Sequence, residues 1–287
     1  MEITPECIPC LLGRVLFEAE LCAPKRADAA MRDSLKILSE NYRPRANSAE
    51  VATRVHRRVY EIIGCKDPYA RLKERSDEVA SSLLPRAKEY IDQSSDPLRA
   101  AAVVAIAGNV MDFGIPGHDA PEQLSAEFEA ILEQGLDIDD IDKMRQRLGP
   151  GKKVAYLLDN CGEGVLDRLL IEEIKRTGTK VVGVAKGEPV LTDVTIPDAE
   201  RAGLDEAFDE IISTGMFAVG IDTRRMSDKL GEELNSADLI VAKGMANFES
   251  LSGTDFRPII YLMRAKCRPV ARAIGARKGD NVAKLFV

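Results

Sequence analysis

Asp159-Asn160-Cys161-Gly162-Glu163-Gly164 places three oxygen-bearing side chains and two glycines between an apolar run, Val154 to Leu158, and a segment whose Val165, Leu166, Leu169, Leu170, Ile171 and Ile174 share one broad helical face. The apolar run has the character of a buried parallel strand, so the polar cluster falls where a strand becomes a helix. In open α/β sheets that edge is where ligands bind. A carboxylate, an amide and a glutamate crowded there suit a hard divalent cation. A tight turn in which Asp159 or Asn160 merely caps the helix uses the same residue types.

Two further apolar runs end in comparable residues. Lys180 to Ala185 leads to Thr192-Asp193-Val194-Thr195, where Asp193 supplies a second carboxylate at the same edge as Asp159. Leu239 to Ala242 leads to Lys243-Gly244-Met245-Ala246-Asn247. A lysine just past a buried strand is placed to neutralise a phosphate oxygen, and Gly244 allows close backbone approach. Taken alone, Lys243 is equally an ordinary surface-reaching lysine. Asn109 and Asp112, three residues apart at the end of the apolar helix Leu98 to Val110, share one helix face and either line the site or pair at the helix end. Gly108 beside them marks a close backbone approach. Cys7-Ile8-Pro9-Cys10 opens a helix and reads as a redox pair, half of a metal site, or two packed cysteines. Cys22, His56, Cys65 and Cys267 are available to complete a metal site, and the spacing selects none of them.

These residues need a scaffold, and the pattern supplies one. Helical spacing covers Leu11 to Leu21, Ala27 to Glu40, Ser48 to Ile63, Ser76 to Ile91, Leu98 to Val110, Pro121 to Gln134 and a short stretch within Asp139 to Arg147, with a turn at Ile115-Pro116-Gly117-His118. Asn47 and Glu50 sit as a capping pair for the third helix, and Gly64 ends it. Gly149-Pro150-Gly151 is the clearest punctuation in the chain. Beyond it, strand candidates Val154–Leu158, Lys180–Ala185, Glu210–Ser213, Leu239–Ala242, Ile259–Met263 and Pro269–Ile274 alternate with helices such as Val165–Arg176 and Arg224–Asn235. That order predicts an α/β protein with a parallel, doubly wound sheet. The expected division is a helical lobe, 1–149, and an α/β lobe, 150–287, that carries the site.

Composition narrows the function. The chain has 287 residues, 45% of them apolar, and a formal net charge of −7, which argues against a nucleic-acid polymer as partner. No apolar run approaches the roughly 20 residues of a membrane helix, and the N-terminus lacks a signal pattern, so a cytoplasmic location is expected. There the six cysteines should mostly be thiols or metal ligands.

Taken in order, Cys7-x-x-Cys10, Gly108-Asn109-x-x-Asp112, Asp159-Asn160-x-Gly162-Glu163, Asp193-Val194-Thr195 and Lys243-Gly244-x-x-Asn247-Phe248-Glu249 resemble the damage-control phosphatase family, formerly grouped as a domain of unknown function. The resemblance spans nearly the whole chain, and the Cys-x-x-Cys pair resembles that family's subfamily I. Each motif alone is weak; their order is specific. The resemblance implies a metal-dependent phosphatase with a helical lobe packed on a Rossmann-like α/β/α lobe. It implies Asp159, Asn160 and Asp193 as ligands of a divalent metal (Mn²⁺, Ni²⁺, Mg²⁺ or Co²⁺) and Lys243 as the phosphate-contacting lysine. Gly244 and Asn247 would join Lys243 at the substrate, while Glu163, Asn109 and Asp112 would orient water or the leaving oxygen. Cys161 stands where the family usually has a smaller residue. Substrates implied are small phosphate esters: damaged purine nucleotides, related intermediates or sugar phosphates. A homo-oligomer is compatible with all of this.

Two other readings use the same residues. The loop Leu158 to Gly164 loosely matches the glycine-rich loop of a methyltransferase using S-adenosylmethionine, but with wrong spacing and a glutamate that would repel a carboxylate ligand. A non-enzymatic metal-binding module centred on Cys7 and Cys10 is the second. No GxxxxGK[ST] occurs, which argues against a P-loop kinase.

Overall fold

The computed structural model describes residues 1–110 and 121–287. Asp112 and the turn expected at 115–118 lie outside the described residues. The helices are α1 (Cys7–Cys22), α2 (Ala27–Asn41), α3 (Ser48–Ile63), α4 (Ala70–Asp92), α5 (Pro97–Ala107), α6 (Pro121–Gln134), α7 (Ile141–Arg145), α8 (Glu163–Arg176), α9 (Ile196–Arg201), α10 (Asp228–Ser236), α11 (Gly244–Leu251) and α12 (Arg268–Ile274). The strands are β1 (Ile138–Asp139), β2 (Lys153–Leu157), β3 (Lys180–Ala185), β4 (Glu210–Ser213), β5 (Leu239–Lys243), β6 (Ile259–Arg264) and β7 (Asn281–Phe286).

Local chemistry sets these boundaries. Asn47 accepts hydrogen bonds from the amides of Ala49 and Glu50 at the start of α3, and Gly64, with φ +68°, stops it. Asp96 caps α5 by accepting from Arg99 N, and Pro97 occupies its first turn, where no amide is needed. The nine residues Leu98 and Ala100 to Ala107 of α5 are all buried. A helix apolar on every side belongs inside, and α5 lies between α8 and the sheet.

The strands form one sheet in the order β1-β7-β6-β5-β2-β3-β4, parallel except for the β6–β7 pair. Strand side chains alternate between two cores. Val154, Tyr156, Val181, Val241 and Ile260 face the cluster built with α4, α5, α6 and α8. Ala155, Leu157, Val182, Ile240 and Tyr261 face the one built with α10, α11 and α12. The result is a three-layer α/β/α body. A third cluster unites α1, α2 and α3 with Val190, Phe217 and Val219 from loops of the sheet layer. The helical lobe therefore contributes in two ways: α1 to α3 stand on the loops, whereas α4 to α6 belong to the sheet's own core. β1, from before residue 150, pairs with β7.

Two sequence expectations are corrected. Pro269–Ile274 is the helix α12, not a strand. Its proline sits in the first turn and Gly275, with φ +78°, ends it. A short apolar run carries no period of its own, and here the proline was the deciding signal. Cys22 and Cys65 form a disulfide that links the C-terminal ends of α1 and α3, so neither is a thiol available to Cys7 and Cys10.

Candidate active site

Chain order reverses beside β2. From β2 the chain runs outward through β3 and β4, then returns to β5 on the other side of β2. Such a reversal opens a crevice beyond the strand ends, because the two following connections diverge to opposite faces. Asp159 follows β2 there, and Gly244 follows β5.

Backbone pairing draws a third segment over the crevice. Val194 N donates to Asp159 O (2.8 Å), Cys161 N donates to Thr192 O (2.8 Å), and Lys186 N donates to Val194 O (2.8 Å). Asn160 and Asp193 are bridge partners in this arrangement. Asp159, Asn160 and Asp193, distant in sequence, thereby meet, each less than a tenth exposed. Asn160 Nδ2 donates to Asp159 Oδ2 (2.7 Å) and Glu163 Oε2 (3.1 Å), and Asn160 Oδ1 accepts from Thr192 Oγ1 (2.6 Å). Lys186 Nζ lies 3.3 Å from Asp193 Oδ2 and also donates to Gly220 O.

Asn109 arrives from the turn after α5. Its Nδ2 donates to Glu163 Oε2 (2.7 Å) and Asp159 Oδ2 (3.2 Å), while its buried Oδ1 has no hydrogen-bond partner among the described residues. The close approach expected at Gly108 is present: a Cβ there would stand 3.1 Å from Glu163 Cα.

Lys243 departs from the expectation of direct phosphate contact. Its ammonium is fully buried and donates to Glu163 Oε1 (2.7 Å), Asp167 Oδ1 (2.6 Å) and Ala105 O (2.8 Å). An ammonium has three donors, and all three are committed to protein oxygens. Burial works against the charged lysine, but Asp167 and Glu163 outweigh it and hold its pKa above the ordinary value. Glu163 is likewise committed at both oxygens. Asn247 Nδ2 donates to Leu158 O (3.2 Å) and Lys243 O (2.8 Å), pinning α11 to the end of β2. These residues form a layer beneath the site.

Above that layer is a cavity of about 370 Å³. Asp159, Asn160, Asp193, Asn109 and Thr192 line it from the sheet side, and Cys7, Cys10, Arg14 and His56 line it from α1 and α3. Lys266, Cys267 and Arg268 complete the wall. The fold thus brings Cys7 and Cys10, remote in sequence, to the same cavity as the carboxylates. Among the described residues no three His, Cys, Asp or Glu side chains converge as a metal-ligand set. The candidate centre joins two carboxylates to an amide. Burial first, then the charges of Glu163 and Asp193, pushes the Asp159 carboxyl well above the ordinary carboxylate range, partly offset by Lys266 and Lys186. Thr192, Lys186, Asp167 and Lys266 escaped sequence reasoning. Only Thr192 and Lys186 carried a signal, as neighbours of Asp193.

The glycines of the 159–164 loop do not form a cofactor cradle. Gly162 N donates to Asp77 Oδ1 (2.7 Å), and a Cβ there would stand 2.8 Å from Ser76 Cβ; one at Gly164 would stand 2.9 Å from Leu204. Both positions are filled by protein, contrary to what the methyltransferase alternative needs.

Residues 3–282 match the family model described as the damage-control phosphatase ARMT1-like domain. The chain belongs to the damage-control phosphatase family. It is 46% identical over 288 residues to a protein of Archaeoglobus fulgidus named damage-control phosphatase, with 99% of each chain covered. A damage-control phosphatase of Pyrococcus horikoshii is 32% identical, with 98% of this chain and 97% of that one covered. A crystal structure of a DUF89 family protein from the same organism superposes with a TM-score of 0.88 at 31% identity, covering 99% of both chains. Damage-control phosphatase family membership accounts for the order of motifs along the chain and for the α/β fold that carries them.

Proposed function

We propose that this protein is a metal-dependent phosphomonoester hydrolase acting on small phosphate esters, with damaged purine nucleotides, related intermediates and sugar phosphates as the substrate classes. The observation that carries this reading is the convergence of Asp159, Asn160 and Asp193 from two strand-end loops onto the floor of one cavity.

The donor set suits a hard divalent ion. Two carboxylates and an amide oxygen are the ligands such ions take, and three protein ligands leave positions for water and a phosphate oxygen. Asn160 Oδ1 accepts one hydrogen bond from Thr192 and keeps a second lone pair. Asn109 Oδ1, buried without a partner among the described residues, is an acceptor already built into the floor. A bound divalent ion would polarise the phosphoryl group and acidify water.

The protein's own groups do the rest. Lys243, from beneath, donates to Glu163, and Glu163 fixes the amides of Asn109 and Asn160. The oxygens of those amides are thereby aimed rather than free to rotate. Asn109 then orients water or the leaving oxygen; Lys266 and Arg268 on the wall supply positive charge toward a phosphate. The preferred metals are Mg²⁺ or Mn²⁺ by ligand hardness, with Ni²⁺ and Co²⁺ added by family resemblance. A cytoplasmic small-molecule enzyme fits this reading; no described helix is long and apolar enough to cross a membrane.

The test is a phosphatase screen of metal-free protein across divalent metals and phosphate esters. Turnover restored by a divalent ion is expected, and its absence with every metal and ester tried overturns the proposal.

A further inference from the structure

His56 and Glu18 form a buried pair that the metal-centred chemistry does not use. Glu18 lies on α1 and His56 on α3; neither is more than 1% exposed. His56 Nδ1 stands 2.8 Å from Glu18 Oε1 and 3.1 Å from Oε2, and Tyr69 OH donates to Glu18 Oε1 (3.3 Å). The imidazole is therefore fixed in orientation by a carboxylate that is itself held.

The other edge of the ring is what marks it. His56 lines the cavity with the rest of its ring, Nδ1 being the nitrogen held by Glu18. A histidine that only tied α1 to α3 would have no need to face a cavity that also holds Asp159, Asn160 and Asp193. Ser48, Ala52 and His56 recur every fourth residue of α3, so one face of that helix forms the wall. One turn beyond His56, Tyr60 OH accepts from Leu191 N (3.0 Å), and the adjacent Thr192 donates to Asn160. The imidazole wall and the carboxylate floor are thus joined by a single loop and enclose one volume. That volume, about 370 Å³, lies in the range of small-molecule sites, roughly 300–1,000 Å³.

We propose that His56, oriented by Glu18, is a specificity-determining residue that reads a hydroxyl group on the alcohol portion of the substrate. The proposal rests on the phosphatase reading for its reaction class. With Nδ1 held by the Glu18 carboxylate, Nε2 is the ring nitrogen left for the cavity. A hydroxyl, which both donates and accepts, is its complement, whereas a second phosphate or a carboxylate would meet the nearby Glu18 carboxylate. The phosphate goes to the floor and the hydroxyl to the opposite wall, which selects polyol or sugar phosphates over esters of plain alcohols and phenols.

The experiment compares a hexose phosphate with p-nitrophenyl phosphate, which carries no hydroxyl, using metal-loaded wild type, His56→Asn and Glu18→Gln, each checked for folding by thermal melting. His56→Asn keeps an amide donor for Glu18 but is too short to reach the substrate. The expected result is a loss of about tenfold or more in kcat/KM on the hexose phosphate, carried mainly by KM, with p-nitrophenyl phosphate nearly unchanged. Equal losses on both esters, or none on either, in a folded variant overturn the proposal. If His56→Asn does not fold, Glu18→Gln decides: it frees the ring tautomer and should show the same selective loss, and an unselective effect sinks the idea. A wild type inactive on both esters with every metal defeats the phosphatase reading instead, and the proposal with it.

Discussion

The Asp159 carboxylate occupies the space where residue 244 would carry a side chain. A Cβ on Gly244 would stand 1.8 Å from Asp159 Oδ2, and the φ of Gly244 is +73°. The two strands that flank the topological reversal therefore meet through a carboxylate and a missing methyl group. Gly244→Ala incurs about 1 kcal/mol of backbone strain and a steric overlap that only displacement of Asp159 relieves. The expected outcome is destabilisation of about 2 kcal/mol or more in urea unfolding, with loss of divalent-metal binding. Wild-type behaviour in both measurements would contradict this packing.

Lys243 should matter for stability and for turnover together. Removing its ammonium leaves Glu163 and Asp167 buried side by side. Burial and Glu163 already raise the Asp167 carboxyl to about 7 despite the neighbouring Lys243. Lys243→Ala is expected to cost about 3–5 kcal/mol, the scale for breaking a buried pair. In the fraction that remains folded, kcat should fall by roughly 10²-fold, because the amides that Glu163 aims are released. Adding Asp167→Asn should recover part of the lost stability but not the turnover. Full recovery of both would reduce Lys243 to a packing element.

Much of this arrangement was legible in the sequence, for a specific reason. Strands β2 to β6 are apolar runs that end in polar residues, and that boundary is both a secondary-structure signal and a chemical one. Asp159, Asn160 and Asp193 could be assigned to one edge because parallel strands share the direction of their ends. Depth was not legible. Lys243 and Glu163 have the same residue types whether they touch substrate or sit one layer below it, and only the positions of α5 and α8 decide. β7 escaped because Asn281 and Lys284 break up the apolar residues of Asn281–Phe286, so it reads as mixed in polarity. The long sequence separation of Cys7 and Cys10 from the strand-end loops says nothing about where α1 docks, and the pair lines the cavity.

That docking changes what to expect of the cysteines. Cys7 and Cys10 line the cavity from α1, whereas Asp159 and Asp193 line it from strand-end loops. Under the proposed binding mode, thiols on α1 meet the substrate's organic portion rather than its phosphate. Cys7→Ser with Cys10→Ser should leave kcat unchanged and alter KM, the signature of lost uniform binding. Steady-state kinetics of the folded double variant check this, and a collapse of kcat would place the thiols in the chemistry.

Glu249, which lines the same cavity, gives the protein a pH-sensitive stability. Burial raises its carboxyl from 4.5 to about 7, against the opposing charges of the N-terminal amine and Arg14. Its folded pKa is above the unfolded value, so the folded state binds the proton more tightly. The stability from this group is fully present below about pH 4.5 and is lost as pH rises through about 7. Glu249→Gln keeps the neutral shape at every pH. Relative to wild type, it should be more stable at pH 8 than at pH 5 in chemical denaturation. The same difference at both pH values would show that Glu249 does not titrate between them.

The proposed metal centre can be tested without reference to turnover. Asp159 and Asp193 sit on different loops, held together by the Asn160–Asp193 bridge and by Val194 N donating to Asp159 O. Asp159→Asn removes one charge and keeps the shape; Asp193→Ala removes a ligand from the neighbouring loop and strips Lys186 of its partner at 3.3 Å. If both carboxylates hold one divalent ion, either change dismantles the site, and the double variant should bind hardly worse than the weaker single one. Two independent sites would give additive losses. Titration calorimetry with Mn²⁺ and Mg²⁺ on wild type, both single variants and the double variant measures the coupling directly. Wild-type affinity in both single variants would remove the metal from this cavity floor, and with it the reason for three oxygen donors to meet there.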